Sequence, residues 1–209
     1  MMMDESFNRV LEFYNARAAR EEEQRKRRVP VEDPLKERDR YLLHVGEEVA
    51  RTLHSLIVAR GAKHILELGT SYGYSTLFLA DAARATGGRL ATLELSAEKQ
   101  EYARSQLDQA GLSQHVDWLQ GDAIDLLAKL DGPFDFILVD LWKELYVPCL
   151  ELFLPKLAVG AIVAADNMLY PEIVRPEAEA YRAAVRTKPG LQSVLLPIGQ
   201  GIELSCYWP

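Results

Sequence analysis

One stretch constrains the fold more than any other: Ile65-Leu66-Glu67-Leu68-Gly69-Thr70-Ser71-Tyr72-Gly73-Tyr74-Ser75-Thr76-Leu77. An apolar run stops at Gly69, small and polar residues follow, and Leu77-Phe78-Leu79-Ala80 resumes without another glycine. The pattern predicts a buried strand, a tight turn and the first turn of a helix. Gly69 lets the backbone turn sharply and come close to a ligand, and Gly73 lets the helix start pack close to the strand. The N–H groups of the helix start make a polar cradle. A dinucleotide loop wants glycines at its first, third and sixth positions, but Gly69, Ser71 and Tyr74 stand there. A phosphate-binding loop needs a closing Gly-Lys-Ser/Thr, and the stretch has no lysine.

Around this stretch the chain alternates strand and helix patterns. Strands are expected near 64–68, 89–95, 115–120, 134–140 and 160–166, and helices near 74–86, 97–110, 123–130, 142–157 and 174–187. Such alternation gives an α/β fold, a doubly wound and mostly parallel sheet with helices on both faces. Two last strands, near 192–197 and 202–208, are joined by too few residues for a crossover helix, so they form an antiparallel hairpin and bring the sheet to seven strands. Before the sheet, residues 5–28 read as a charged helix whose Phe7, Val10, Leu11 and Tyr14 share one face. That stripe docks on the body or on a second subunit. Glu21-Glu22-Glu23 faces Arg25-Lys26-Arg27-Arg28 in i,i+4 pairs, a solvated face rather than a nucleic-acid patch. Residues 29–34 read as a linker, and a second helix is expected over 35–61, broken near Gly46, with Leu53, Leu56 and Ile57 buried. The domains expected are a charged helical extension over 1–34 and a main domain over 35–209.

Composition narrows the partners. The first forty residues hold ten basic and ten acidic side chains, while 41–209 hold 14 basic against 21 acidic, so the body carries the net charge of −7. An acidic body argues against nucleic acid. With 48% hydrophobic residues the chain can bury a full core. Two cysteines, Cys149 and Cys206, are too few for a disulfide framework. No apolar run reaches membrane-spanning length and no signal-peptide core is present, so the expectation is a cytoplasmic protein away from membranes.

Ligands of open α/β sheets sit beyond the carboxyl ends of the strands. The second strand ends at Glu94, 25 residues past Gly69, where a carboxylate can accept both hydroxyls of a ribose. The third ends in Leu119-Gln120-Gly121-Asp122-Ala123, with Asp122 accepting from an adenine amino group, capping the next helix, or both. Glu67 is costly to bury alone and is expected to meet a cationic or N–H partner near the cofactor. Phe134–Asp140 and Ala161–Asn167 are strands ending in Asp140 and in Asp166-Asn167. Two carboxylates and a carboxamide from neighbouring strand ends suit Mg²⁺, Mn²⁺ or Ca²⁺ rather than Zn²⁺. Lys143, three residues after Asp140, is expected in the first turn of a helix beside that ion, where its proton affinity falls and it can act as a general base. Trp142 stacks on adenine or fills a helix–sheet seam, the second being commoner.

With these residues in hand, 41–205 resemble the cation-dependent class I S-adenosylmethionine O-methyltransferases, the catechol and caffeoyl-coenzyme A group. The pieces that carry the resemblance are Leu66-Glu67-Leu68-Gly69 with Gly73-Tyr74-Ser75, Asp140-x-Trp142-Lys143-x-x-Tyr146, Ala165-Asp166-Asn167, and Leu43-His44-Val45-Gly46 ahead of the sheet. The resemblance implies a Rossmann-like methyltransferase fold, S-adenosylmethionine and a divalent cation as cofactors, and a homodimer. It implies Asp140, Asp166 and Asn167 as metal ligands and Lys143 as general base. It places Gly69, Ser75 and Glu94 around the cofactor, with Glu67, Val45, Trp142, Asp122, Ala123 and Asp140 beside it. Tyr41, Lys143 and Asn167 fall at the substrate, expected to be a small aromatic diol. Three departures stand out. Gln200 occupies the place between glycines where the family usually has Asp, the stretch after Asn167 is short, and the catechol enzymes' extra carboxylate has no counterpart. The alternative function is a nucleoside-cofactor protein of another class, either an NAD-type oxidoreductase or a non-catalytic binding protein.

Overall fold

A computed structural model describes residues 3–27 and 40–209. The chain opens with α1 (Glu5–Lys26), capped by Asp4, whose carboxylate accepts the Phe7 N–H at 3.1 Å. Then come α2 (Glu47–Arg60), β1 (His64–Leu68), α3 (Tyr74–Thr86), β2 (Arg89–Glu94), α4 (Ala97–Gln109), β3 (Val116–Gln120) and α5 (Ala123–Lys129). β4 (Phe134–Val139), α6 (Tyr146–Phe153), β5 (Leu157–Ala165), α7 (Arg175–Thr187), β6 (Leu191–Leu196) and β7 (Ile202–Tyr207) complete it. The sheet order is β3-β2-β1-β4-β5-β7-β6, parallel from β3 to β5, with β7 antiparallel to both its neighbours. This is the expected doubly wound α/β sheet of seven strands ending in a hairpin.

The strands alternate between two cores. Ile65, Phe136 and Leu138 pack under α1–α4, while Leu66, Leu68, Ile137 and Val139 pack under α5–α7. With helices on both faces, the central strands have no wet side and read as unbroken apolar runs. The stripe of α1 lies on the body: Phe7, Val10, Leu11 and Tyr14 are buried, and the Phe7 ring meets Phe78 of α3 edge-on at 5.1 Å.

The main revisions concern helices. Of the helix expected over 35–61, only Glu47–Arg60 is helical among the described residues; 40–46 are not helical, and 28–39, with the expected linker, lie outside them. Gly46, at φ +86°, starts α2 rather than interrupting it. Leu53 and Ile57 are buried as expected, Leu56 is half-buried, and His54 takes a buried place, its ring nitrogen 2.9 Å from Asp81. The helix expected over 142–157 is broken into a 3₁₀ turn (Lys143–Leu145), α6 and a second 3₁₀ turn (Leu154–Lys156) with Pro155 near its start, so β5 begins at Leu157.

Candidate active site

The strand order reverses between β1 and β4, and a crevice opens beyond their carboxyl ends. The two ends are tied there, Asp140 N–H donating to Leu68 O at 2.9 Å. A side chain at Gly69, which sits at φ +101°, would collide with the Asp140 carbonyl, so glycine is required by both conformation and space. Gly73, also at positive φ, makes room for a different neighbour than expected: a Cβ there would meet Ala103 of α4 and the Tyr14 hydroxyl, not the strand.

The resulting cleft has a volume of about 1040 Å³. Val45, Gly69, Glu94, Asp122, Ala123, Asp140, Trp142, Lys143, Asp166, Asn167 and Tyr41 all line it. Glu67 and Ser75 are buried beside it and bond to each other.

At the β1 and β2 ends, Glu94 accepts the backbone N–H of Ser71 at 2.8 Å and of Ser96 at 2.9 Å. Ser71 holds φ +47°, and its buried hydroxyl has no hydrogen-bond partner among the described residues. This cleft-lining hydroxyl was not singled out from sequence; the only signal was a non-glycine at the third loop position. Asp122 caps α5 through one oxygen, which accepts from Ile124 and Asp125 N–H at 2.9 and 3.1 Å. The Tyr14 hydroxyl donates to Tyr72 O at 2.6 Å, bracing the glycine loop from α1. Glu21 of α1 accepts the Leu42 N–H at 2.5 Å and so ties the helix to the Tyr41–Val45 wall. His44 in that wall accepts the Gly46 N–H on Nδ1 at 3.1 Å, which leaves the ring proton on Nε2; burial lowers its pKa and keeps the ring neutral.

Glu67 lies on the α3 side of β1. Its partners are hydroxyls, not the cation or N–H groups expected: Ser75 at 2.7 Å, Thr76 at 2.7 Å and Thr92 at 2.6 Å. Burial outweighs these donors and pushes its pKa up to about 7.

At the β4 and β5 ends the two acidic termini come together because the strands are adjacent and in register, Val139 beside Ala165. Asp166 is buried, its Oδ1 has no hydrogen-bond partner among the described residues, and its pKa is raised to about 8 by burial and by the charge of Asp140. Asn167 follows at φ +60°, its Nδ2 3.3 Å from Asp166 Oδ2. An orphaned carboxylate oxygen beside a second carboxylate and a carboxamide is the donor chemistry of a hard divalent cation, so these residues fit one. Among the described residues no three His, Cys, Asp or Glu side chains cluster as metal ligands, which the two-carboxylate set does not require.

Lys143 begins a 3₁₀ turn rather than a helix, after Trp142 in extended conformation. Its buried Nζ donates to Leu141 O at 3.0 Å and to the Tyr146 hydroxyl at 2.5 Å, and lies 3.6 Å from Asp140 Oδ1. Tyr146 in turn reaches Val139 O at 2.9 Å and Asp166 O at 3.3 Å, joining both strand ends. Trp142 is 38% exposed on the cleft rim and does not fill the expected seam.

The O-methyltransferase family model matches residues 24–206. The chain is 40% identical over 112 residues to a catechol O-methyltransferase of Niastella koreensis, covering 52% of this chain and 50% of that one. It is 35% identical over 126 residues to a catechol O-methyltransferase of Mycobacterium tuberculosis, covering 60% and 57%. The matches thus span little more than half the length of these curated relatives. The O-methyltransferase TomG of Streptomyces achromogenes, solved in complex with S-adenosylmethionine, superposes with a TM-score of 0.76 at 26% identity over 99% of this chain and 91% of that one. With a family match across most of its length, a switch-point cleft and a seven-stranded sheet of the same form, the chain belongs to the O-methyltransferase family.

Proposed function

We propose that this chain is an S-adenosylmethionine-dependent O-methyltransferase that uses a divalent cation to methylate one hydroxyl of a small catechol-like aromatic. The observation that carries the reading is the buried, unsatisfied Asp166 Oδ1 grouped with Asp140, Asn167 and Lys143 on the wall of one cleft. Gly69, Ser71 and Glu94 would hold S-adenosylmethionine, which would supply the electrophilic methyl. Asp140, Asp166 and Asn167 would hold a divalent cation, whose positive charge would acidify a substrate hydroxyl as it does bound water.

The remaining work belongs to this chain's side chains. Lys143 Nζ takes the proton of the substrate hydroxyl, and the net reaction forms an oxygen–methyl bond as the methyl–sulfur bond breaks. Leu141 O and the Tyr146 hydroxyl aim Nζ, fixing it for a transfer that needs hydrogen-bond reach. Tyr41, Trp142 and Ile173 line the acceptor end with apolar surface suited to an aromatic ring. No covalent intermediate on the enzyme is needed, so positioning and electrostatics provide the acceleration. The partners that follow are a small aromatic diol and a second copy of the chain, with no nucleic acid.

The test is a methyl-transfer screen over vicinal aromatic diols with Mg²⁺ and with EDTA. Transfer to at least one diol, abolished by EDTA and restored by Mg²⁺, is expected. Transfer unaffected by EDTA overturns the cation, and absence of transfer to every diol overturns the acceptor class.

A further inference from the structure

Only the oxygen end of a carboxamide can hold a cation; its NH₂ end carries two donors and repels one. The two ends have nearly the same shape, so an Asn ligand works only if something chooses its orientation. We propose that Gln200 is the positioning residue that makes this choice for Asn167, an inference that rests on the cation reading above.

Asn167 Nδ2 donates to Gln200 Oε1 at 3.1 Å and contacts Asp166 Oδ2 at 3.3 Å. With the nitrogen held by two acceptors, the oxygen faces away from both. A flipped Asn167 amide sets its oxygen against the Asp166 Oδ2 acceptor, and keeps its Gln200 contact only if the Gln200 amide turns as well. Asp166 Oδ2 is engaged by the same NH₂ group while its buried Oδ1 has no hydrogen-bond partner among the described residues, so each side chain has one end tied and one end left to bind.

Gln200 is itself fixed from behind. It sits in the turn between β6 and β7, and that turn is stitched to the segment following Asn167. Leu169 and Tyr170 N–H donate to Gln200 O at 2.9 and 3.2 Å, and Met168 N–H donates to Gly201 O at 2.9 Å. The other side of the turn presses on the cleft wall: a Cβ on Gly199 would crowd Val49 and the Val45 carbonyl. The hairpin turn thereby anchors the backbone from which the Gln200 side chain reaches the Asn167 amide.

The experiment is Mn²⁺ binding to the protein without substrate, by calorimetry or by loss of the free-ion resonance signal, with S-adenosylhomocysteine affinity as the folding control. Gln200→Leu keeps the size and removes the acceptor; it is expected to weaken Mn²⁺ by about tenfold, in the range for outer partners of metal ligands. Gln200→Glu keeps an acceptor and is expected to bind at least as tightly as wild type. Asn167→Asp has oxygen at both ends, so orientation ceases to matter, and adding Gln200→Leu to it is expected to change Mn²⁺ affinity less than twofold. Equal affinity in wild type and Gln200→Leu overturns the inference. So does an undiminished tenfold loss in the Asn167→Asp background, or a Gln200→Glu variant as weak as Gln200→Leu. If wild type binds no Mn²⁺, the cation reading itself falls; if it binds and the variants fail these patterns, only the role of Gln200 falls.

Discussion

Two buried ionisable side chains make opposite demands on the protein. Lys143 is aimed by Leu141 O and Tyr146, and Lys143→Ala removes the proposed proton acceptor without touching the β1–β2 side of the cleft. A fall in kcat of about 10²–10⁴ is expected, the usual worth of a general base, with S-adenosylhomocysteine affinity changed less than about twofold. Steady-state kinetics beside calorimetry checks this, and unchanged turnover removes Lys143 from the mechanism. Glu67 has the raised pKa of a carboxyl that burial holds neutral. Below pH 4.5 it is protonated in both folded and unfolded chains, and its full contribution is present. As pH rises toward about 7 the unfolded chain gives up the proton first, so stability is lost over that window, by on the order of 2–3 kcal/mol. Glu67→Gln cannot titrate; the stability of wild type relative to it should decline between pH 5 and 8 in denaturant titrations. Parallel curves for the two proteins contradict the assignment. From sequence, the cost of burying Glu67 was legible but its three hydroxyl partners were not, because Thr92 arrives from another strand and Ser75 and Thr76 only face it once α3 is docked.

Among the elements, α1 binds the body through apolar contacts and reaches the Gly69–Gly73 loop through one hydroxyl. Phe7→Ala empties a fully buried site against Phe78 and should cost about 3–5 kcal/mol in chemical denaturation. Tyr14→Phe removes only the bond to Tyr72 O; a loss of about 1 kcal/mol is expected, together with weaker S-adenosylhomocysteine binding, since the Gly69–Gly73 loop loses its brace. A stability loss with unaltered ligand affinity limits Tyr14 to a structural part. The stripe of α1 was legible because its spacing repeats over two turns. The path through 40–46 was not: its wall is held by Glu21 of α1 and by the turn at Gly199, contacts that leave no periodic trace in the local sequence. The 3₁₀ turn at Lys143 escaped for a related reason. The Lys143 side chain folds back onto Leu141 O and Tyr146 next to two strand ends, and that tertiary requirement overrides the local helical pattern.

At the scale of the whole molecule, strand adjacency makes the candidate site: Asp140 and Asp166 meet because β4 and β5 pair in register, and Gly69 meets Asp140 because β1 and β4 flank the switch point. The meeting of Asp140 and Asp166 followed from the alternation of elements and the residue types at strand ends, since successive strands are commonly neighbours; the meeting of Gly69 and Asp140 did not, because β1 and β4 are not successive in the chain. Nor did it follow that the arrangement burdens the fold. A second carboxylate beside a buried one raises the energy of the unliganded protein, and Asp166 Oδ1 has no hydrogen-bond partner among the described residues to offset it. Asp166→Asn relieves that burden, so without divalent cation the variant should melt above wild type, by about 2–4 °C for each kcal/mol relieved in a chain of this size. Adding S-adenosylhomocysteine at about a hundred times its dissociation constant should stabilise both proteins by about 2.7 kcal/mol, because the residues proposed to hold it are untouched. Adding Mg²⁺ should then raise wild type further and leave Asp166→Asn unmoved, so that the order of the two melting temperatures narrows or reverses. Differential scanning calorimetry of both proteins in the three conditions reads this directly. An Asp166→Asn protein less stable than wild type in EDTA, or one that gains as much from Mg²⁺, means that Asp166 is a structural acid and not the seat of the cation.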